Sequence, residues 1–141
     1  MRSMSVPRFV DTNVLLCAVS TDLMEAAKRS TAELIFDARD LALSSQVLGE
    51  FYVQATRSSR TARLTHSQAT AIIASMTRYP IQPVTYGILE AALAASERHQ
   101  ISYWDAAILE SARAVGCTEV LSEDLAEGHD YDGVSVINPF S

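Results

Sequence analysis

Four acidic residues of this sequence could act together: Asp11, Glu50, Asp105 and Asp124. Taken singly, each has a plain structural reading. Asp11 caps the helix that follows it, and Asp105 lies three residues after Ser102, at a capping-box spacing. Asp124 sits in a Ser122-Glu123-Asp124 turn, and Glu50 is a solvated helix residue. Brought to one place, the four would behave differently. Carboxylates at close range repel one another and shift each other's titration. A hard divalent cation relieves that repulsion. Magnesium prefers oxygen ligands in octahedral geometry and keeps several waters. It can orient a water, lower its pKa and neutralise a phosphate under attack. The choice between the readings rests on whether the chain brings the acids together.

The elements that must position them can be read from apolar spacing and helix caps. Arg8-Phe9-Val10 is a short buried strand that runs into a helix cap at Asp11-Thr12-Asn13, and a short helix continues to Val19. Thr21 or Asp22 caps a longer helix with Leu23, Ala27, Leu34 and Ile35 on its apolar side. Leu41-Ala42-Leu43 is a second strand, and Ser44 or Ser45 caps a helix to about Arg57. A helix from Thr65 stops before Tyr79-Pro80. Ile81 to Val84 is a third strand, placed at a sheet edge by Pro83. An alanine-rich helix spans Tyr86 to Arg98, and its plain reading is a packed internal helix. Ser102 caps the next helix, which Gly116 ends. Glu119-Val120-Leu121 is a fourth strand and Val134 to Ile137 a fifth.

Short apolar strands alternating with amphipathic helices indicate an α/β domain with a mainly parallel sheet of about five strands. No repeat, linker or low-complexity tract divides residues 1–141, so the expectation is a single domain. In such a sheet ligands bind at the carboxyl ends of the strands. Crossover helices run antiparallel to the strands, so their N-termini lie over the same edge. Asp11 ends the first strand, and Glu50 stands in the early turns of the helix after the second. Asp105 is in the first turn of the helix before the fourth strand, and Asp124 follows that strand. All four are expected at one edge of the sheet.

The bulk composition sets bounds on partners. The net charge is −6, which argues against a general nucleic-acid binder with a basic footprint. It does not exclude a metal-dependent nuclease, whose cations reverse the local field. Of the basic residues only Lys28 is lysine, and Arg57, Arg60 and Arg63 form the one local cluster. That cluster reads either as a phosphate contact or as a solvated loop. No apolar run approaches a bilayer span, and Met1 to Val10 has no secretory h-region. Cys17 and Cys117 lack metal or disulfide-framework spacing and read as buried thiols of a cytoplasmic protein.

The words around the acids resemble those of a known family. Phe9-Val10-Asp11-Thr12-Asn13-Val14-Leu15 resembles the opening of PIN-domain nucleases, and Ser45-Gln46-Val47-Leu48-Gly49-Glu50-Phe51-Tyr52 their second acidic segment. Ile101-Ser102-Tyr103-Trp104-Asp105-Ala106-Ala107-Ile108 resembles the third. Leu121-Ser122-Glu123-Asp124-Leu125 with Gly128 resembles the fourth, and Asn138-Pro139-Phe140 a common ending. The match is in order and covers nearly the whole chain, and is most similar to VapC-type toxins of bacterial toxin–antitoxin pairs. The resemblance implies a PIN-like three-layer α/β/α sandwich and magnesium- or manganese-dependent endonucleolytic cleavage of RNA. It also implies a homodimer and a cognate antitoxin that blocks the site. On the family pattern Asp11, Glu50, Asp105 and Asp124 are the catalytic acids. Asp11, Asp105 and Asp124 are the metal ligands, and Thr12, Asn13 and Ser122 hold acids or waters in place.

Other residues and other functions give way to this reading. Trp104 stacks on a base or, at helical spacing with Ile108, belongs to the core; the core reading is the plainer one. His66, His99 and His129 have no zinc-ligand spacing. A phosphotransfer receiver needs a lysine after a late strand, whereas Lys28 lies in an early helix. A phosphatase with a nucleophilic aspartate wants a second acid where Asn13 stands. A non-catalytic binding module is the alternative from another class, and would show no stabilisation by magnesium.

Overall fold

Phe9 and Val10 are the reason the fold has a centre: both are fully buried, and they make strand β1 (Arg8–Val10) the middle of the sheet. The computed structural model describes residues 6–141. Residues 1–5, part of the segment read as lacking a secretory signal, lie outside the described residues. Strands β2 (Leu41–Ser44), β3 (Ile81–Gln82), β4 (Glu119–Leu121), β5 (Asp130–Tyr131) and β6 (Val134–Ile137) complete a sheet in the order β3-β2-β1-β4-β6-β5. All neighbouring pairs are parallel except β5 with β6. The helices are α1 (Thr12–Ala18), α2 (Ala26–Ile35), α3 (Ser45–Ala55), α4 (His66–Ser75), α5 (Tyr86–His99) and α6 (Tyr103–Ala114).

The sixth strand is an addition to the expected five, and its signal is present in the sequence. Asp132-Gly133 is a two-residue hairpin loop, with φ of 56° and 92°, which is the paired positive φ that such a turn requires. It folds Tyr131 back onto Val134. Strand β3 sits at the edge, as expected from Pro83, but ends at Gln82 because proline has no N–H to continue the ladder.

Helix starts follow the caps. Ser44, Thr65, Thr85 and Ser102 each accept a backbone N–H of the first turn through a side-chain oxygen. Helix α3 stops at Ala55, two residues short of the expected Arg57. Helix α6 closes before Gly116, whose φ of 91° lets the chain turn toward β4. Helix α5 packs on α6 through Ala92, Ala95, Ala106 and Ala107, all buried and small enough for close approach. Tyr86 and Leu93 stay exposed on its far side.

Helix α2 presents a different face from the expected one. Leu23 and Leu34 are exposed, the former by 90%, and Ala27 is exposed too. Asp22 caps a short 3-10 turn over Leu23–Glu25 instead of the α-helix itself. The face that packs carries Ala32, with Ile35 half-buried and Phe36 buried just beyond the helix end, about one position round from the expected stripe.

From β1 the chain steps outward to β2 and then β3, by way of α1 to α4. From β3 it crosses back past β2 and β1 to β4, by way of α5 and α6. The direction of winding reverses between β1 and β4. The crevice at such a reversal, beyond the carboxyl ends of the strands, is where α/β sheets bind ligands. No helix among the described residues is long and apolar enough to cross a membrane.

Candidate acidic active site

Asp11 leaves β1 at that crevice and caps α1, accepting the Thr12 N–H at 2.7 Å. Capping was the plain reading of this residue, and the structure adds a second role to it. The other carboxylate oxygen, Oδ2, accepts from the Ser122 hydroxyl at 2.8 Å and from the Asn13 amide at 3.3 Å. Ser122 is fully buried and its Oγ also accepts the N–H groups of Asp124 and Leu125. The turn after β4 is thereby tied to the end of β1. Asn13 completes the tie: its amide reaches Ser122 Oγ at 3.2 Å and Asp124 Oδ2 at 3.1 Å, and its carbonyl accepts the Glu123 N–H.

Glu50 arrives from the other side. The Thr12 hydroxyl donates to its Oε2 at 3.0 Å, and Gln46, one turn earlier on α3, donates to its Oε1 at 2.8 Å. Gln46 also donates to the Trp104 carbonyl at 3.2 Å, which joins α3 to the start of α6. Asp105 stands in the first turn of α6, where Ser102 caps its N–H at 3.0 Å. All four acids line one cavity of about 110 Å³, together with Thr12, Asn13 and Gln46. Gln46 was not singled out in the sequence. Its signal there is a spacing of four residues before Glu50, which puts both on one helix face.

The electrostatics are those of crowded acids. Burial pushes the Asp11 carboxyl up to about 6, against the hydrogen bonds from Ser122 and Thr12, and the charges of Glu50 and Asp124 push it the same way. Asp105 is also raised, first by burial and then by Asp124 and Glu50. Among the described residues no three His, Cys, Asp or Glu side chains converge at direct metal-binding distance. The donor set suits an ion that keeps much of its water, as magnesium does, because the potential ligands lining the cavity are carboxylates, a hydroxyl and amides, with no thiol or imidazole among them.

The remaining sequence candidates fall elsewhere. Trp104 is not core: it is 63% exposed, its ring edge-on to Tyr103 at 5.0 Å. A helical side chain leans toward the N-terminus of its helix, so one in the first turn hangs past the sheet edge where nothing covers it. His66 binds the Tyr52 hydroxyl and His99 binds Asp132; neither lines the acidic cavity, and nor does His129. Lys28 pairs with Glu123 at 2.8 Å and does not line the cavity. Cys17 and Cys117 are free and buried, as expected, and burial pushes both thiols up to about 11.

Comparison with known proteins bears on the family and the fold. A model of the PIN domain matches residues 8–126, a span that contains all four acids. The chain belongs to the PIN domain family. Its PIN fold is shared with solved structures that are distant in sequence. The VapC20 toxin of Mycobacterium tuberculosis, described as cleaving the sarcin–ricin loop, is 24% identical with a TM-score of 0.66, over 83% of this chain and 91% of its own. A toxin–antitoxin complex from Klebsiella pneumoniae gives 21% identity and a TM-score of 0.65, over 96% of this chain and 98% of its own. DNA-bound VapBC from Salmonella typhimurium gives 16% and 0.66, over 96% and 99%. No curated protein matches the chain. At these identities the likeness carries the PIN fold, with the four acids at its switch point.

Proposed function

We propose that this PIN domain is a magnesium-dependent endoribonuclease and the toxin of a type II toxin–antitoxin pair. The observation that carries the reading is the convergence of Asp11, Glu50, Asp105 and Asp124, from four separate segments, on one cavity at the sheet's switch point. The similarity of the fold to toxins from M. tuberculosis and K. pneumoniae supports the toxin assignment. Asp11, Asp105 and Asp124 would hold magnesium, with manganese as its substitute. When bound, the ion supplies charge neutralisation and an acidified water.

The chain's own residues do the rest. Ser122 and Asn13 fix the Asp11 and Asp124 carboxylates, and Thr12 and Gln46 fix Glu50. Glu50 takes a proton from the attacking water as its oxygen bonds to phosphorus and the bond to the leaving oxygen breaks. The leaving oxygen gains a proton from solvent. In the cell the protein would be a cytoplasmic homodimer silenced by its antitoxin. The simplest plug is an arginine on an apolar antitoxin segment, paired with at least two of the four acids.

The test is cleavage of total RNA with magnesium, manganese, zinc or a chelator, beside Asp11→Asn and Asp105→Asn. Cleavage is expected with the first two ions and in neither variant. Full activity in excess chelator sinks the metal mechanism.

A further inference from the structure

Helix α3 continues away from the acids as a face with a purpose of its own. Gln46, Gly49, Glu50 and Val53 recur at helical spacing, and Arg57 follows in the same phase just beyond the helix end. With Trp104 these residues line an open groove of about 450 Å³. That volume is in the ~300–1,000 Å³ range of small-molecule sites. The groove is continuous with the acidic cavity, because Gln46, Glu50 and Trp104 border both. Gly49 leaves its floor flat: a Cβ there would meet nothing within 4 Å. One wall is the exposed Trp104 indole, braced by Tyr103. The far end is Arg57, exposed and with its guanidinium outside the ion pairs that engage Arg8, Arg29, Arg98 and Arg113.

We propose that this groove holds an unpaired nucleotide of the RNA beside the scissile phosphate, its base stacked on Trp104 and a neighbouring phosphate paired with Arg57. The inference rests on the ribonuclease reading and adds to it a base-binding subsite formed by Trp104 and Arg57. A flat, exposed indole next to a phosphate-cutting site matches a nucleobase, since every base has a π-face. A base in a duplex is stacked on its neighbours and out of reach, so the groove selects unpaired positions. Arg57 is the cation among the residues that line the groove, in a chain of net charge −6. A protein segment would also fit an apolar wall; the continuity with the acids and the arginine at the far end favour RNA.

Trp104 is the sole tryptophan, so its fluorescence reads the groove directly. The experiment titrates the protein with fluorescein-labelled single-stranded hexanucleotides of RNA, in calcium, with gel verification that the RNA stays intact. Indole quenching and label anisotropy are followed together. Quenching should saturate with binding, and a duplex of the same sequence should bind more weakly without quenching. Trp104→Ala should weaken binding about tenfold or more, with Trp104→Phe retaining most of the affinity. Its melting temperature should be unchanged. Arg57→Ala should reduce the salt slope by about 0.7. Unchanged affinity in Trp104→Ala, or binding without quenching, overturns the subsite and leaves the ribonuclease reading standing if magnesium-dependent cleavage persists. Absence of both binding and cleavage removes the ribonuclease reading, and the subsite with it. If a co-purified partner protein quenches Trp104 while RNA affinity ignores the substitution, the groove is a protein-docking site and the proposal is wrong.

Discussion

Asp11 illustrates how a single carboxyl sets the stability of the site. An acid whose value is raised by burial binds its proton more tightly in the folded chain than in the unfolded one. Between its ordinary value of 3.8 and its folded value of about 6, folding therefore becomes less favourable as pH rises. Asp11→Asn is neutral at every pH and escapes that loss. Without divalent ions it should melt a few degrees higher than the native chain at pH 7, from roughly 1 kcal/mol of relief, and no higher at pH 4. A lower melting temperature at pH 7 would show that the cap to Thr12 outweighs the buried charge. Ser122 is the opposite case, a buried hydroxyl with every bond used. Ser122→Ala strands the Asp124 and Leu125 N–H groups and removes a donor from Asp11. It should cost about 1–3 kcal/mol in denaturant unfolding. It should also reduce cleavage, because the turn that carries Asp124 loosens.

Helix α6 is the element on which the site most depends, since its first turn delivers both Asp105 and Trp104. Its height over the sheet edge is set by alanines against α5. Ala92→Leu inserts bulk where the two helices touch and should destabilise the fold by roughly 1–3 kcal/mol. Cleavage should fall further than the folded fraction does, because Asp105 moves with the helix; equal losses would show that α6 tilts without displacing it. The same helix shows what periodicity reveals and what it hides. Spacing placed Ile108 in the core correctly, because mid-helix residues on one face share one environment. It failed for Trp104, because spacing gives an angle and not a height, and the first turn extends past the layer beneath it. On α2 the angle itself was off, since the 3-10 turn at Leu23–Glu25 shifts where the helix begins. The acids were legible because strand ends and caps fix height and angle together. The Tyr131–Val134 hairpin was equally legible from Asp132-Gly133, but the two-residue strand β5 is too short to show alternation.

For the whole molecule, charge is the governing quantity. A chain of net charge −6 with four acids in one crevice is under strain that a cation relieves and that RNA worsens. Millimolar magnesium should raise the melting temperature in calorimetry, as binding to the folded state alone requires. Asp105→Asn should blunt that rise; an unchanged rise would place the ion elsewhere. The crevice is also assembled late. Asn13 meets Ser122 across 109 residues of sequence, and β4 enters the sheet between β1 and β6. On the ribosome, a nascent chain that has emerged as far as β3 holds Asp11 and Glu50 with nothing to close against them. The crevice forms only when β4 and its turn leave the exit tunnel and slot beside β1. A chain built this way has no assembled acidic crevice until the segment carrying β4 and its turn has joined β1.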